Sequence, residues 1–168
     1  HSEIRNLSFS PPDSTLLSWS RDGEVRGWRV PEGTPIKTLE SIGAIGPVAF
    51  SPDGSRVAVG WGDSVRLWRV SDGTFQTFKS PGGTLQNITF SPDGEVLASS
   101  GEEKVIYLWE VGNGSLLKRL EIGPYVGVRD LAFSPDGKLL AASLEGEASR
   151  GERGAVSLWR ISNGSLVK

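Results

Sequence analysis

The sequence predicts an all-β fold built from four copies of one four-stranded antiparallel unit, and three observations predict it. A turn phrase recurs as Phe9-Ser10-Pro11-Pro12-Asp13, Phe50-Ser51-Pro52-Asp53-Gly54, Phe90-Ser91-Pro92-Asp93-Gly94 and Phe133-Ser134-Pro135-Asp136-Gly137, with starts 41, 40 and 43 residues apart. Each phrase is followed by a tryptophan that closes a β-type run, at Trp28, Trp68, Trp109 and Trp159. Beyond each tryptophan comes a glycine followed by Thr or Ser, at Gly33, Gly73, Gly114 and Gly164. A period near 40 carrying a fixed aromatic and fixed turn residues marks a repeat architecture.

The second unit shows the elements in order, here called a to d. Gly46 to Phe50 is a short a run with Val48 and Phe50 at period two. Ser51-Pro52-Asp53-Gly54 turns it, since proline pre-sets φ, aspartate bonds its own backbone and glycine takes positive φ. Val57-Ala58-Val59 is the b strand, Gly62-Asp63 turns it, and Val65 to Val70 is the c strand. Ser71-Asp72-Gly73 then leads into the d strand, Thr74 to Phe78. Four strands joined by three hairpin turns make a β-meander. The other units repeat the scheme, with boundaries near 1–42, 43–82, 83–124 and 125–168. One departure stands out: from phrase Phe to closing Trp the separations are 19, 18, 19 and 26 residues, so the fourth unit carries about seven extra between its b and c strands, within Glu145 to Gly154.

Such a meander cannot bury both faces alone. Radial stacking buries both, which is the β-propeller solution. Val65-Arg66-Leu67-Trp68, with large groups on both faces, suits a blade packed between two neighbours.

Composition excludes several function classes. The 168 residues contain no cysteine, so no disulfide and no thiolate metal site can form, which fits a reducing compartment and leads to a cytoplasmic expectation. No apolar run is long enough to span a membrane, and no signal peptide is visible. The net charge is −2 with mixed signs, which argues against nucleic acid as a partner. The Asn-x-Ser/Thr triplets at Asn6, Asn87, Asn113 and Asn163 read as chance in predicted strands and tight turns. Phosphate-cradling, dinucleotide and nucleophile-elbow motifs are absent, and one histidine cannot build a multi-histidine metal site. No enzyme activity, cofactor or metal is expected. Methionine is absent, position 1 included, which reads as a processed product or part of something longer.

The four phrases, the Leu-Trp ending of the c strand at Leu67-Trp68, Leu108-Trp109 and Leu158-Trp159, and the glycine turn that follows resemble the WD-repeat β-propellers. The second letter of that family's signature is missing: Arg29, Arg69, Glu110 and Arg160 follow the tryptophans. The resemblance implies a hydrogen-bonded group of His, Ser/Thr, Asp and Trp in each blade. In the first unit His1, Ser20, Asp22 and Trp28 are assigned to it. The second keeps Asp63 and Trp68 with Trp61 in the hydroxyl position, the third has Glu103 with Trp109, and the fourth keeps Trp159. His1 is thus read as a structural histidine.

The resemblance further implies a non-enzymatic scaffold that binds a protein or peptide on the rim carrying the b–c turns and d–a connections. Those segments differ between units while the opposite turns do not. The partner-binding candidates are Arg21, Trp61, Glu102, Tyr125, Glu147 and Arg150. Trp19 and Trp61 are otherwise read as filling space left by the lost polar groups. Rings of this family usually hold about six to eight blades. Four therefore imply a homodimer forming an eight-bladed ring, or part of a longer propeller. A self-assembly module and a sensor segment of a larger protein are the alternative functions.

Overall fold

The computed structural model describes residues 3–10, 15–20, 24–30, 32–39, 46–147, 151 and 153–168. Every named element among them is a strand. Sheet 1 comprises β1 (Ile4–Ser10), β2 (Thr15–Ser20), β3 (Val25–Arg29) and β4 (Thr34–Leu39). Sheet 2 comprises β5 (Val48–Phe50), β6 (Arg56–Trp61), β7 (Ser64–Arg69) and β8 (Phe75–Lys79). Sheet 3 comprises β9 (Leu85–Phe90), β10 (Val96–Gly101), β11 (Val105–Glu110) and β12 (Leu116–Glu121). Sheet 4 comprises β13 (Gly127–Phe133), β14 (Leu139–Glu145) and β15 (Ala155–Arg160). Within each sheet the strands lie in sequence order and pair antiparallel.

Sheet 4 has three strands where four were expected. Its fourth strand is represented by a single bridge between Trp159 and Leu166, with Val167 N–H donating to the Leu158 carbonyl at 2.7 Å. The bridge is the counterpart of the Trp109–Leu116 pair that opens the outer ladder of sheet 3. Residues 166–168 therefore correspond to only the first part of β12.

The a–b turns are built by one chemistry three times over. The Ser51 hydroxyl donates to Asp53 Oδ1 at 2.6 Å and accepts from Arg56 N–H at 2.9 Å, and Asp53 Oδ1 accepts from Ser55 N–H at 3.1 Å. Ser91 and Asp93 repeat this before β10, and Ser134 and Asp136 before β14. Glycine closes each turn at positive φ, 70° at Gly54, 75° at Gly94 and 68° at Gly137, where a Cβ would strain the backbone. These bonds hold the aspartates Asp53, Asp93 and Asp136 below the usual carboxylate range, the serine hydroxyl in each case being the main cause.

The sheets stack face to face by one rule. Each sheet has a first face, carrying the c-strand tryptophan, and a second face. The second face of sheet 2 (Ala58, Val65, Leu67, Phe78) packs on the first face of sheet 3 (Leu85, Ile88, Phe90, Leu97, Tyr107, Trp109). The second face of sheet 3 (Ala98, Ile106, Leu108, Leu120) packs on the first face of sheet 4 (Val128, Leu131, Leu140, Leu144, Trp159). A smaller cluster, Val57, Val59 and Trp68, lies on the first face of sheet 2. The a strands β5, β9 and β13 are neighbours, as the innermost strands of a propeller must be. Hydrogen bonds also cross the seams: Asn87 Nδ2 donates to the Val128 carbonyl at 2.9 Å, and Arg56 and Gln76 both donate to the Val111 carbonyl at 3.1 Å. The turn glycine Gly114 lies against the Phe78 ring of the preceding sheet so closely that a Cβ there would come within 2.6 Å.

The stack does not close at its ends. Ile4, Leu7 and Phe9 on β1 are 55, 56 and 63% exposed, whereas their counterparts Leu85, Ile88 and Phe90 are 3, 8 and 7% exposed. At the other end Val156 is 64% exposed, where its counterpart Ile106 is fully buried.

Candidate functional site

Antiparallel meanders put the b–c turns and d–a connections at one end of every sheet. Among the described residues this rim differs from sheet to sheet. In sheet 2 the turn after β6 is Trp61-Gly62-Asp63, with Asp63 accepting from the Ser64 hydroxyl at 3.0 Å and facing Lys79 at 3.4 Å. Those two partners, Ser64 foremost, hold its carboxyl below the usual range. In sheet 3 the turn is Glu102-Glu103-Lys104, all exposed. Glu103 accepts from the hydroxyl of Tyr107, a fully buried side chain, at 2.7 Å. Burial first, and the Glu103 carboxylate next, push that phenol up to about 12. Gly82, in the connection before β9, lies against the Tyr107 ring, with room for no Cβ. In sheet 4 Arg129 pairs with Glu145 at the mouth of the long b–c segment.

Of the partner candidates, Glu102 is exposed, and Trp61 is 41% exposed with the Arg66 guanidinium stacked 3.7 Å from its ring centroid. Trp61 thus does not fill a vacated interior position: it ends β6, beyond the last layer of the sheet interior. Tyr125, expected as a loop side chain at the surface, is half-buried against the core shared by sheets 3 and 4. Glu147 is half-buried as well. Arg21 and Arg150 lie outside the described residues, as do His1 and Asp22.

The polar group expected around each tryptophan is placed differently. Trp28 Nε1 donates to Ser18 at 2.9 Å, and Trp109 Nε1 donates to Ser99 at 2.8 Å. The hydroxyl therefore comes ten residues before the tryptophan, and Ser20 was two residues too late. The reason is register: Leu16 pairs with Trp28 and Leu97 with Trp109, so the same-face diagonal neighbour is Ser18 or Ser99. Ser20 is buried and its hydroxyl donates to the Glu24 carbonyl at 3.2 Å. In sheet 2 the equivalent diagonal position is Val59, because Val57 pairs with Trp68, and so the hydroxyl position is Val59 and Trp61 lies two residues beyond it. Trp68 Nε1 is accordingly buried without a partner. In sheet 4 the position is Ala142. Trp68, Trp109 and Trp159 are 5, 3 and 2% exposed and serve as packing centres of their sheets. Asp63 bonds its own turn and Lys79.

Sequence reasoning missed Arg66 and Phe75. Arg66 lies over Trp61 and 5.3 Å from the centroid of Phe75, which in turn contacts Trp68 at 4.4 Å. No motif announces this ladder; only the pairing of Arg66 with Val59 and of Phe75 with Trp68 puts the four side chains on one face. Among the described residues no cluster of His, Cys, Asp and Glu could hold a metal ion, and no helix is long and apolar enough to cross a membrane.

Comparison with known proteins agrees with this geometry. The family model described as WD domain, G-beta repeat matches residues 33–69, 73–110 and 114–159. Each matched unit begins at a c–d turn glycine and runs through the a, b and c strands of the next sheet, so the family's unit straddles two sheets. SEC12-like protein 1 of Arabidopsis thaliana is 38% identical over 58 residues, 33% of this chain and 15% of that protein. Among solved structures, Kuenenia stuttgartiensis hydrazine synthase superposes with a TM-score of 0.83 at 23% identity, over 96% of this chain and 47% of that one. At that identity the likeness concerns the fold alone. The chain spans less than half the length of either protein.

Proposed function

Since the chain belongs to the WD40-repeat family, whose repeats generally mediate protein interactions, we propose that it is a non-enzymatic interaction scaffold and that a protein or peptide partner lands on its b–c/d–a rim. One observation carries this reading. The opposite rim repeats one turn chemistry in sheets 2, 3 and 4, while this rim presents Trp61 and Asp63, then Glu102 and Glu103, then the long segment 146–154. A scaffold needs the same framework in every copy and a different surface on each. The test shortens 146–154 to the length of the other b–c turns. Folding should persist and partner capture should weaken; full capture would remove the segment from the site.

A second reading is favoured by the open ends of the stack. At the two seams described, between sheets 2 and 3 and between sheets 3 and 4, a second face covers the first face of the next sheet. The exposed first face of sheet 1 (Ile4, Leu7, Phe9) and the exposed second face of sheet 4 (Val156) are therefore complementary. A second copy related by a two-fold axis would join both seams and complete an eight-bladed ring. Light scattering on the isolated chain should then give about 36 kDa, twice its 18.0 kDa. A folded monomer at micromolar concentration would rule this out.

A further inference from the structure

We propose that Asn163 is a site of spontaneous deamidation, in a turn already shaped to hold the resulting aspartate, and that Asn113, in the same turn of the preceding sheet, is protected from it. One exception to a rule of the c–d turns points there.

The c–d turns of sheets 2, 3 and 4 share one backbone. The glycine N–H donates back across the turn, from Gly73 to the Arg69 carbonyl at 2.9 Å, from Gly114 to Glu110 at 2.8 Å and from Gly164 to Arg160 at 2.7 Å. The three glycines have φ of 72°, 74° and 72°. The side-chain Oδ1 of the residue before each glycine accepts from the N–H two residues on: Asp72 from Thr74 at 2.9 Å, Asn113 from Ser115 at 2.8 Å and Asn163 from Ser165 at 3.0 Å. In two of these turns the other polar atom of that side chain meets the residue at the base of the turn. Arg69 donates to Asp72 Oδ2 at 3.1 Å, and Asn113 Nδ2 donates to Glu110 Oε2 at 2.7 Å. Sheet 1 has Arg29 and Glu32 at these two positions. Arginine thus stands with a carboxylate, and glutamate with an amide. Sheet 4 breaks the rule, since it sets Arg160 with Asn163, a guanidinium with an NH₂ group, both of them donors. Among the described residues neither the Arg160 guanidinium nor Asn163 Nδ2 makes a hydrogen bond or ion pair.

Asparagine before glycine deamidates readily because no Cβ obstructs the glycine nitrogen. The Gly164 backbone nitrogen, having lost its proton to solvent, attacks Asn163 Cγ and forms the Cγ–N bond. The Cγ–Nδ2 bond then breaks, and ammonia leaves after taking a proton from water. Water opens the cyclic imide: cleavage at Cγ gives aspartate, and cleavage at the backbone carbonyl gives isoaspartate. In both turns the glycine N–H is bonded, so the turn must open before the nitrogen can attack. Opening the Asn113 turn also breaks two anchors on Glu110 Oε2, from Asn113 Nδ2 and from the Ser115 hydroxyl at 3.1 Å, for which sheet 4 has no counterpart. Negative charge develops on the attacking nitrogen and the Cγ oxygen. Arg160, in the place of Arg69, favours that charge, and the Glu110 carboxylate opposes it. The products differ in the same sense. A carboxylate at 163 keeps its bond to Ser165 and gains Arg160, as Asp72 has Arg69, whereas one at 113 would face Glu110.

Both sites read Asn-Gly-Ser-Leu, so their chemistry in an unfolded chain is the same and a difference between them comes from the fold. The whole chain is aged at mildly alkaline pH, and its tryptic fragments 105–118 and 161–168 are followed by mass spectrometry. In the folded chain Asn163 should deamidate several-fold faster than Asn113, and in denaturing urea the two rates should converge. Arg160→Glu should slow Asn163, and Glu110→Arg should speed Asn113. Asn163→Asp should leave the thermal midpoint unchanged or raise it, while Asn113→Asp should lower it. Equal rates in the folded chain, a faster Asn113, deamidation confined to the urea sample, or the same difference persisting in urea each overturns the proposal. The comparison of the two sites within the unaltered protein keeps the test decisive even if a variant fails to fold.

Discussion

At the scale of the residue, the tryptophan of each sheet shows what one hydroxyl does. Trp28 and Trp109 have an acceptor ten residues earlier, whereas Trp68 has Val59 on the equivalent diagonal and a buried N–H without a partner. An unmet buried donor costs about 1–3 kcal/mol. Val59→Thr keeps the β-branched shape and supplies an oxygen, so it should raise the urea midpoint by about 1 kcal/mol equivalent. Ser99→Ala should lower it by about 1–3 kcal/mol. A drop in the first variant, measured by equilibrium unfolding, would show that position 59 does not reach the indole. The turn aspartates make a pH prediction. Asp53, Asp93 and Asp136 have carboxyls depressed below the ordinary 3.8 by their serines. A depressed folded pKa adds stability that is fully present above 3.8 and is lost as the pH falls through the folded values. Stability should therefore decline below that point, and Ser51→Ala, Ser91→Ala and Ser134→Ala combined should flatten the decline in acid unfolding curves.

At the scale of the element, turns were legible because their chemistry is local. Pro-Asp-Gly specifies a turn wherever it occurs, so the strand boundaries around Ser51, Ser91 and Ser134 could be read directly. Faces were not, since they depend on register, and a two-residue error moved the tryptophan's partner from Ser18 to Ser20 and suggested Trp61 where Val59 stands. The constant ten-residue offset from Ser18 to Trp28 and from Ser99 to Trp109 was the available signal. The contact between Arg66 and Phe75 had none, because it joins strands through pairing alone. Two glycines separate backbone strain from contact. Gly33 and Gly114 both have positive φ, 65° and 74°, but nothing lies within 4 Å of a Cβ at Gly33, whereas at Gly114 it would meet the Phe78 ring. Gly33→Ala should cost about 1 kcal/mol and Gly114→Ala clearly more in chemical denaturation. Similar losses in the two would mean that Phe78 moves aside freely.

At the scale of the whole molecule, stability passes from sheet to sheet through clusters that each span a seam. Trp109→Ala removes a ring from the sheet 2–sheet 3 seam and should cost about 3–5 kcal/mol by thermal or urea unfolding. An unchanged midpoint would contradict its burial. At the open ends the effect should differ: Phe9→Lys or Val156→Lys alters a side chain already 63 or 64% exposed, so the melting of the single chain should hold while any association of copies is lost in light scattering. The offset between the family's unit and the sheets has a practical meaning for recombination. Matched units open at Gly33, Gly73 and Gly114, three turns with φ of 65°, 72° and 74°. Splicing two such chains at those glycines joins near-identical local geometry, and every chimeric sheet then takes its outer strand from the incoming parent. Shuffled libraries cut there should yield folded products, whereas cuts in the variable b–c turns would exchange the surface and the framework together.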